Sequence, residues 1–538
     1  MMKRMPKLLA LLLCLAMLFA LTACGGGGNA PAEADKPEGD AVPAGQAEAP
    51  AEPAEKEGPT TLTYGADAEM AGINPFDTQN QSGQSIAEAI YDRLLEPMDG
   101  GEYIPSLATD YVWEDDNTLV FHLREGVKFQ DGSDFTAEDA LVSIATYASN
   151  PGQASRFTKV KFDESSCDGD YTLVIKTDGY YAPLVDNICR SFIADKDWIE
   201  NTEDMAHSAN GTGPYMLKEW NMGTDLVLEK NPNYWNAENE PYYDTIDVRF
   251  FTDPTTAFLE FESGNLDIVY VQNQEDIEIM QAGGVDGAYL AGVNINAVTA
   301  LNMSQLIEDS PYTNENLRKA IAYAIDWETM IGSICGGTVQ IANSILPSGD
   351  TNHVDIGLYD FDPEAAAEYL AKYKEEEGID GDVQLTIVVA EKDYNVALCE
   401  AMQAYLADVG ITLNVESGQL FDIFPRMMNG EVMITINQLA GGGSSHNTFM
   451  SMEPGCNNLV AEYTDEAICD LIVKATETKD AAEQAAMYEQ IQQLNYDGCW
   501  AIPMYEGLHF FAAKNSVQGI TLNPPDYPLH LQALYAAE

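Results

Sequence analysis

Basic side chains are scarce in this chain. Lysine and arginine number 26 against 87 aspartates and glutamates, a formal net charge of −61. Such a surface repels phosphate backbones and anionic headgroups, so nucleic acid is excluded as a partner. Histidine is sparser still. The six residues His122, His207, His353, His446, His509 and His530 lie far apart and show no metal-ligand spacing. No HExxH, CxxC, GxSxG or phosphate-binding glycine loop occurs, and Gly211-Thr212-Gly213 lacks the third glycine and the helix pattern of a dinucleotide fingerprint. These absences argue against an enzyme, a resident metal and a cofactor. No apolar run after Leu21 is long enough to cross a bilayer.

What is present begins with the N-terminus. Lys3, Arg4 and Lys7 precede an apolar run from Leu8 to Leu21, which has the length of a signal peptide's core. The run ends in Leu21-Thr22-Ala23-Cys24 and four glycines. That ending resembles the lipobox of bacterial lipoproteins. The resemblance implies cleavage after residue 23, lipid attachment at Cys24, and a membrane partner reached through that lipid. The expected location is the extracellular face of the cytoplasmic membrane, facing a periplasm if there is an outer membrane. Residues 24–59 are mostly glycine, alanine, proline and acid, with no aromatic residue. They cannot bury enough apolar surface to offset ordering entropy, and they read as a disordered tether. Beyond Cys14 and Cys24 stand seven cysteines, an odd number at spacings that give no disulfide framework, so at least one thiol is free.

The body from Thr60 holds about 480 residues, too many for one core. Its hydrophobic pattern alternates between periods of two and 3.6. Leu62–Ala66 reads as a strand, and Ile86, Ile90 and Leu94 have helical spacing. Tyr111–Trp113 and Leu119–Leu123 flank Glu114-Asp115-Asp116-Asn117 as a hairpin. Thr136 with Asp139 forms a capping box. Leu173–Lys176 is a further strand. Val383–Val389, the stripe Leu398, Met402, Tyr405 and Val409, a stop at Gly410, and Ile411–Val415 form a β-α-β unit, which requires parallel strands. Met487, Ile491 and Leu494 mark a late helix, and Ile502–Tyr505 a late strand. The class is α/β.

Seven segments, in order, resemble one family. They are Ile73-Asn74-Pro75-Phe76, Ile90-Tyr91-Asp92-Arg93-Leu94-Leu95, the run from Phe121 to Gly132, Thr136-Ala137-Glu138-Asp139, Gly211-Thr212-Gly213-Pro214-Tyr215, Asn231-Pro232-Asn233-Tyr234-Trp235, and Arg318 to Asp326. The chain is identified as a member of the dipeptide-, oligopeptide- and nickel-type solute-binding proteins of bacterial ABC importers. The resemblance implies a two-lobe periplasmic-binding-protein fold of type II with an extra sub-domain in the first lobe. Lobe I is expected over 60–271, with the sub-domain at about 74–207, and is completed by 498–538. Lobe II is expected over 272–497, with crossings near Tyr270-Val271-Gln272 and Asp497-Gly498. The implied partners are a small-molecule solute and an ABC permease with its ATPase, and the chain itself is expected to be a monomer.

Typical peptide binders of this family carry a tryptophan and an aspartate after a second-lobe strand, and the aspartate pairs with the ligand's amino group. Here the stretch from Ile434 to Asn447 has neither residue. Its candidates are neutral hydrogen-bonding groups: Asn437, Gln438, Ser444, Ser445, His446 and Asn447. An acid from the first lobe, Asp67 or Glu69, is the expected replacement, and Tyr505 is expected to line the same space. Short peptides are the favoured solute. A glycoside or oligosaccharide, a nickel or other metal complex, or a sensory role on the same scaffold remain as alternatives.

Overall fold

The computed structural model describes residues 60–538 apart from 78–80, 99–101, 306, 308, 392–393, 440–443, 453–462, 523–527 and 538. Cys24 and the tether therefore lie outside the described residues. A nine-stranded mixed sheet carries the molecule. At its centre Thr61–Ala66 runs parallel to Thr245–Phe250 on one side and to Ile268–Val271 on the other. The hairpin Tyr215–Asn221/Asp225–Lys230 extends one edge. The long strand Ala501–Lys514 follows Ile268–Val271 and pairs in turn with Ala288–Met303. Ile434–Gln438 closes the far edge.

Every element between Ala66 and Tyr215 lies outside this sheet. Four strands, Ala108–Asp115, Thr118–Leu123, Ser166–Cys167 and Thr172–Lys176, form a separate antiparallel sheet there. The hairpin closes through Asp115 and Thr118, where the acid-rich tetrapeptide of the sequence requires a turn. Helix Ala137–Ser149 starts at its capping box, with Thr136 N donating to Asp139 Oδ2 at 2.8 Å. This sub-domain shares one continuous apolar core with the first lobe. Leu62, Tyr64 and Ile246 of the large sheet join Phe121, Ile144 and Ile188 in it. The two therefore move as one body.

The second lobe has its own core. Strands Val383–Ala390 and Ile411–Gly418 are parallel, joined by helix Asn395–Val409. Gly410 ends that helix at φ 93°, a conformation open to glycine without steric cost. Leu398, Met402 and Leu406 pack beneath it with Ile387 and Leu413.

One expectation shifts. Helix Gln81–Ile90 stops before Leu94, which is still fully buried after the turn. Two long strands pair beyond the expected crossings. Ala288–Met303 and Ala501–Lys514 pair antiparallel from Ala288↔Lys514 to Asn302↔Ala501 and serve both halves. In helix Gln274–Gln281, Ile277 and Met280, one turn apart, pack on Phe258, Val269 and Phe510. The register breaks between Asn294 and Val298, where Asn296 takes φ 48°. Opposite this break Glu506 is buried. It accepts from Asn294 Nδ2 at 2.8 Å, Ser348 N at 2.8 Å and Ser348 Oγ at 2.9 Å. The six described cysteines are all free thiols.

Candidate solute-binding cleft

The signature segments meet one another rather than a cleft. Gly213 N donates to Ile90 O at 2.9 Å, and a Cβ on Gly211 would stand 2.2 Å from the same oxygen. Only glycine permits that approach. Gln130 Nε2 donates to Ile90 O at 3.0 Å and to Tyr215 O at 2.8 Å. Asp92 Oδ2 accepts from Thr212 Oγ1 and Trp235 Nε1, both at 2.8 Å. Burial pushes the Asp92 carboxyl up to about 6, against the pull of those two hydrogen bonds. Arg124 lies 4.4 Å above the Trp235 ring. Arg318, also buried, donates to Gly498 O at 2.8 Å and Tyr312 O at 2.7 Å, tying two helices together. The motifs that carry the resemblance are scaffold.

The residues expected at the site divide into two groups. Asp67 accepts from Ser82 Oγ in the turn after the first strand. Glu69 accepts from Trp220 Nε1 at 2.9 Å and Gly223 N at 2.8 Å, which pins the turn of the edge hairpin. Both bond within the first lobe. Asn437 accepts from Asn302 Nδ2 inside the second lobe, and Gln438 ends its strand exposed. Tyr505 is buried in the second lobe's core, edge-on to Tyr394 at 6.3 Å.

Ser444, His446 and Asn447 come together where the lobes meet. The Ser444 carbonyl accepts from Thr448 N at 3.0 Å and opens the helix Ser445–Met450. His446 Nδ1 meets the Tyr488 hydroxyl, and burial pushes the imidazole down to about 4 although Asp186 draws it the other way. Asn447 Nδ2 donates to Asp186 Oδ2 at 2.8 Å across the lobe boundary. Asp186 also accepts from Tyr103 Oη at 3.1 Å. Asp350, beside it, accepts from Ser445 Oγ and from Asn352 N at 2.8 Å. Burial raises the Asp350 carboxyl, the hydrogen bonds from Ser445 and Asn352 oppose that, and the charge of Asp186 adds to the rise. Neither acid takes part in an ion pair among the described residues.

Asp186, Asp350, Tyr103 and Tyr488 were missed from the sequence. Asp186 did carry a signal, since it interrupts the apolar run Leu184, Val185, Ile188. A buried carboxylate in a short apolar helix needs a partner from elsewhere. Among the described residues no cluster of side chains has metal-binding geometry, and no helix is long and apolar enough to span a membrane.

Known proteins place this arrangement. Residues 102–459 match the family model described as bacterial extracellular solute-binding proteins, family 5 Middle. The heme-binding protein A of Haemophilus influenzae is 24% identical over 503 residues, covering 87% of this chain and 91% of that protein. The dipeptide-binding protein of Escherichia coli is 24% identical over 507 residues, covering 86% and 92%. The crystal structure of the ABC transporter substrate-binding protein CtaP from Listeria monocytogenes superposes with a TM-score of 0.79 at 21% identity, covering 89% of this chain and 100% of that one. The two-lobe fold read from the sequence is that of these proteins. Members of the family bind solutes for transport and are not enzymes, which agrees with the lack of catalytic motifs. The chain belongs to the bacterial extracellular solute-binding proteins of family 5.

Proposed function

We propose that this protein captures short peptides between its lobes and hands them to an ABC permease, tethered to the membrane through lipid on Cys24. The observation that carries the peptide reading is the charge where the lobes meet. Two buried carboxylates, Asp186 and Asp350, stand beside the loop that lacks the usual acid, with Asn447, Ser445 and His446 around them. Placing two carboxylates in a site of low polarity without a cation is costly, and a solute's ammonium group offsets that cost. The amides and hydroxyls nearby suit a peptide backbone. The dipeptide-binding relative is in keeping with this reading. Asp67 and Glu69, proposed from sequence as the anchoring acids, have the weaker claim, because their carboxylates already hold Ser82, Trp220 and Gly223.

A thermal-shift screen of peptides, sugars and metal complexes tests the proposal. A ligand at a hundred times its dissociation constant stabilises the fold by about 2.7 kcal/mol. Di- to pentapeptides should raise the melting temperature, and Asp350→Asn should weaken free-amino peptides more than N-acetylated ones. Melting shifts with a sugar or metal complex, and none with any peptide, would reject the peptide reading.

A further inference from the structure

The sub-domain touches the second lobe along a seam that no chain segment bridges covalently. At its buried centre is the Asn447–Asp186 hydrogen bond. Next to it Tyr181 Oη donates to Met450 Sδ at 3.0 Å, and the backbone of Ala182 donates to Thr476 O at 2.8 Å. At the rim stand two ion pairs of opposite sense. Lys159 of the sub-domain meets Glu477 of the second lobe at 2.9 Å. Lys479 of the second lobe meets Asp116 of the sub-domain and lies 5.1 Å above the Tyr180 ring.

We propose that this seam is a latch, in which the sub-domain serves as the first lobe's jaw and the reciprocal Lys159–Glu477 and Lys479–Asp116 pairs hold the lobes closed before solute arrives. The reason is electrostatic. Two bodies of a chain at −61 repel on approach. Cations are few, and two of them are placed across the one boundary that must open and close. The sub-domain shares its core with the first lobe, so a bond from it to the second lobe is a bond between lobes. All five contacts are made by the protein's own groups, so none of them needs the solute in order to form. Solute affinity follows the fraction of molecules in the binding-competent state, so the seam also sets apparent affinity. The inference rests on the two-lobe fold and is independent of the solute's identity.

The test uses the ligand-free mature chain with spin labels at Val112 and Phe361, which are exposed at 43% and 48%. Double electron–electron resonance then reports the distance between the sub-domain and the second lobe. The wild type should show a short-distance population that shrinks between 0.05 and 1 M salt, concentrations chosen on the order of a tenfold change or more around physiological screening. Lys479→Glu should cut the closed-to-open ratio about two- to five-fold, the range for one exposed pair. The double variant Asp116→Lys/Lys479→Glu should restore it. Asn447→Ala should open the lobes with the rim pairs intact. A wild type with no short distance, a Lys479→Glu distribution that matches wild type, or a charge swap that fails to recover closure would each overturn the latch.

Discussion

His446 illustrates how one side chain couples environment to stability. Its imidazole is pushed down to about 4 by burial, below the usual 6.5. The unfolded chain therefore binds the proton more readily, and the folded state loses stability as pH falls from about 6.5 to about 4. At neutral pH this contribution is fully retained. His530 is pushed down to about 4 as well, by burial first and by Arg93 second, and acts in the same direction. Asp92 acts in the opposite direction. Its carboxyl sits at about 6 when folded, so stability declines as pH rises from about 4 to 6. His446→Gln should flatten the acid limb of a stability–pH curve by up to about 3 kcal/mol between pH 6.5 and 4. Urea titrations at each pH measure it. An unchanged slope would mean that the ring is solvated rather than enclosed by the lobes.

Among the elements, the crossing of Gly211-Thr212-Gly213 over the end of helix Gln81–Ile90 is the tightest. Gly211→Ala places a methyl 2.2 Å from Ile90 O, and backbone cannot yield as a side-chain tip can. The variant should lose about 1–3 kcal/mol by overpacking, read as a lowered melting temperature, while solute affinity per folded molecule stays the same. A matching loss of affinity would show that this segment reaches the cleft after all. The segment was legible as a bend from its glycines and proline, yet its partner was not, because Ile90 is 121 residues away in the chain from Gly211. The capping box at Thr136, the hairpin at Asp116-Asn117 and the β-α-β unit ending at Gly410 were readable throughout, since each depends on residues within a turn or two of one another.

For the whole molecule, the pairing of the long strands Ala288–Met303 and Ala501–Lys514 is the decisive feature. Glu506 is buried at the register break between the two long strands, where Asn294 and Ser348 supply its three hydrogen bonds. Glu506→Leu leaves those donors without an acceptor, at a cost of roughly 3 kcal/mol or more. It should also broaden the spread of lobe orientations in small-angle scattering. A variant with wild-type stability and radius of gyration would show that the bulge, and not the carboxylate, fixes the crossing of the two strands.

Family, fold class and most local elements follow from short-range pattern, because a signature turn, a capping box or a hydrophobic stripe is written in neighbouring residues. The neutral stretch from Ser444 to Asn447, which winds into the start of a helix, was also singled out this way, as was the lack of an acid in it. Asp186 and Asp350 were not. Each reaches the Ser445–Asn447 stretch only when segments about a hundred residues or more away along the chain fold against it, and nothing local marks that meeting. Long-range folding likewise sets the observed partners of Asp67, Glu69 and Tyr505, which are Ser82, Trp220 and Tyr394 in turn. Which buried polar groups face a solute and which satisfy the scaffold is set by long-range packing, since each such group must find its partner wherever the fold brings one within reach.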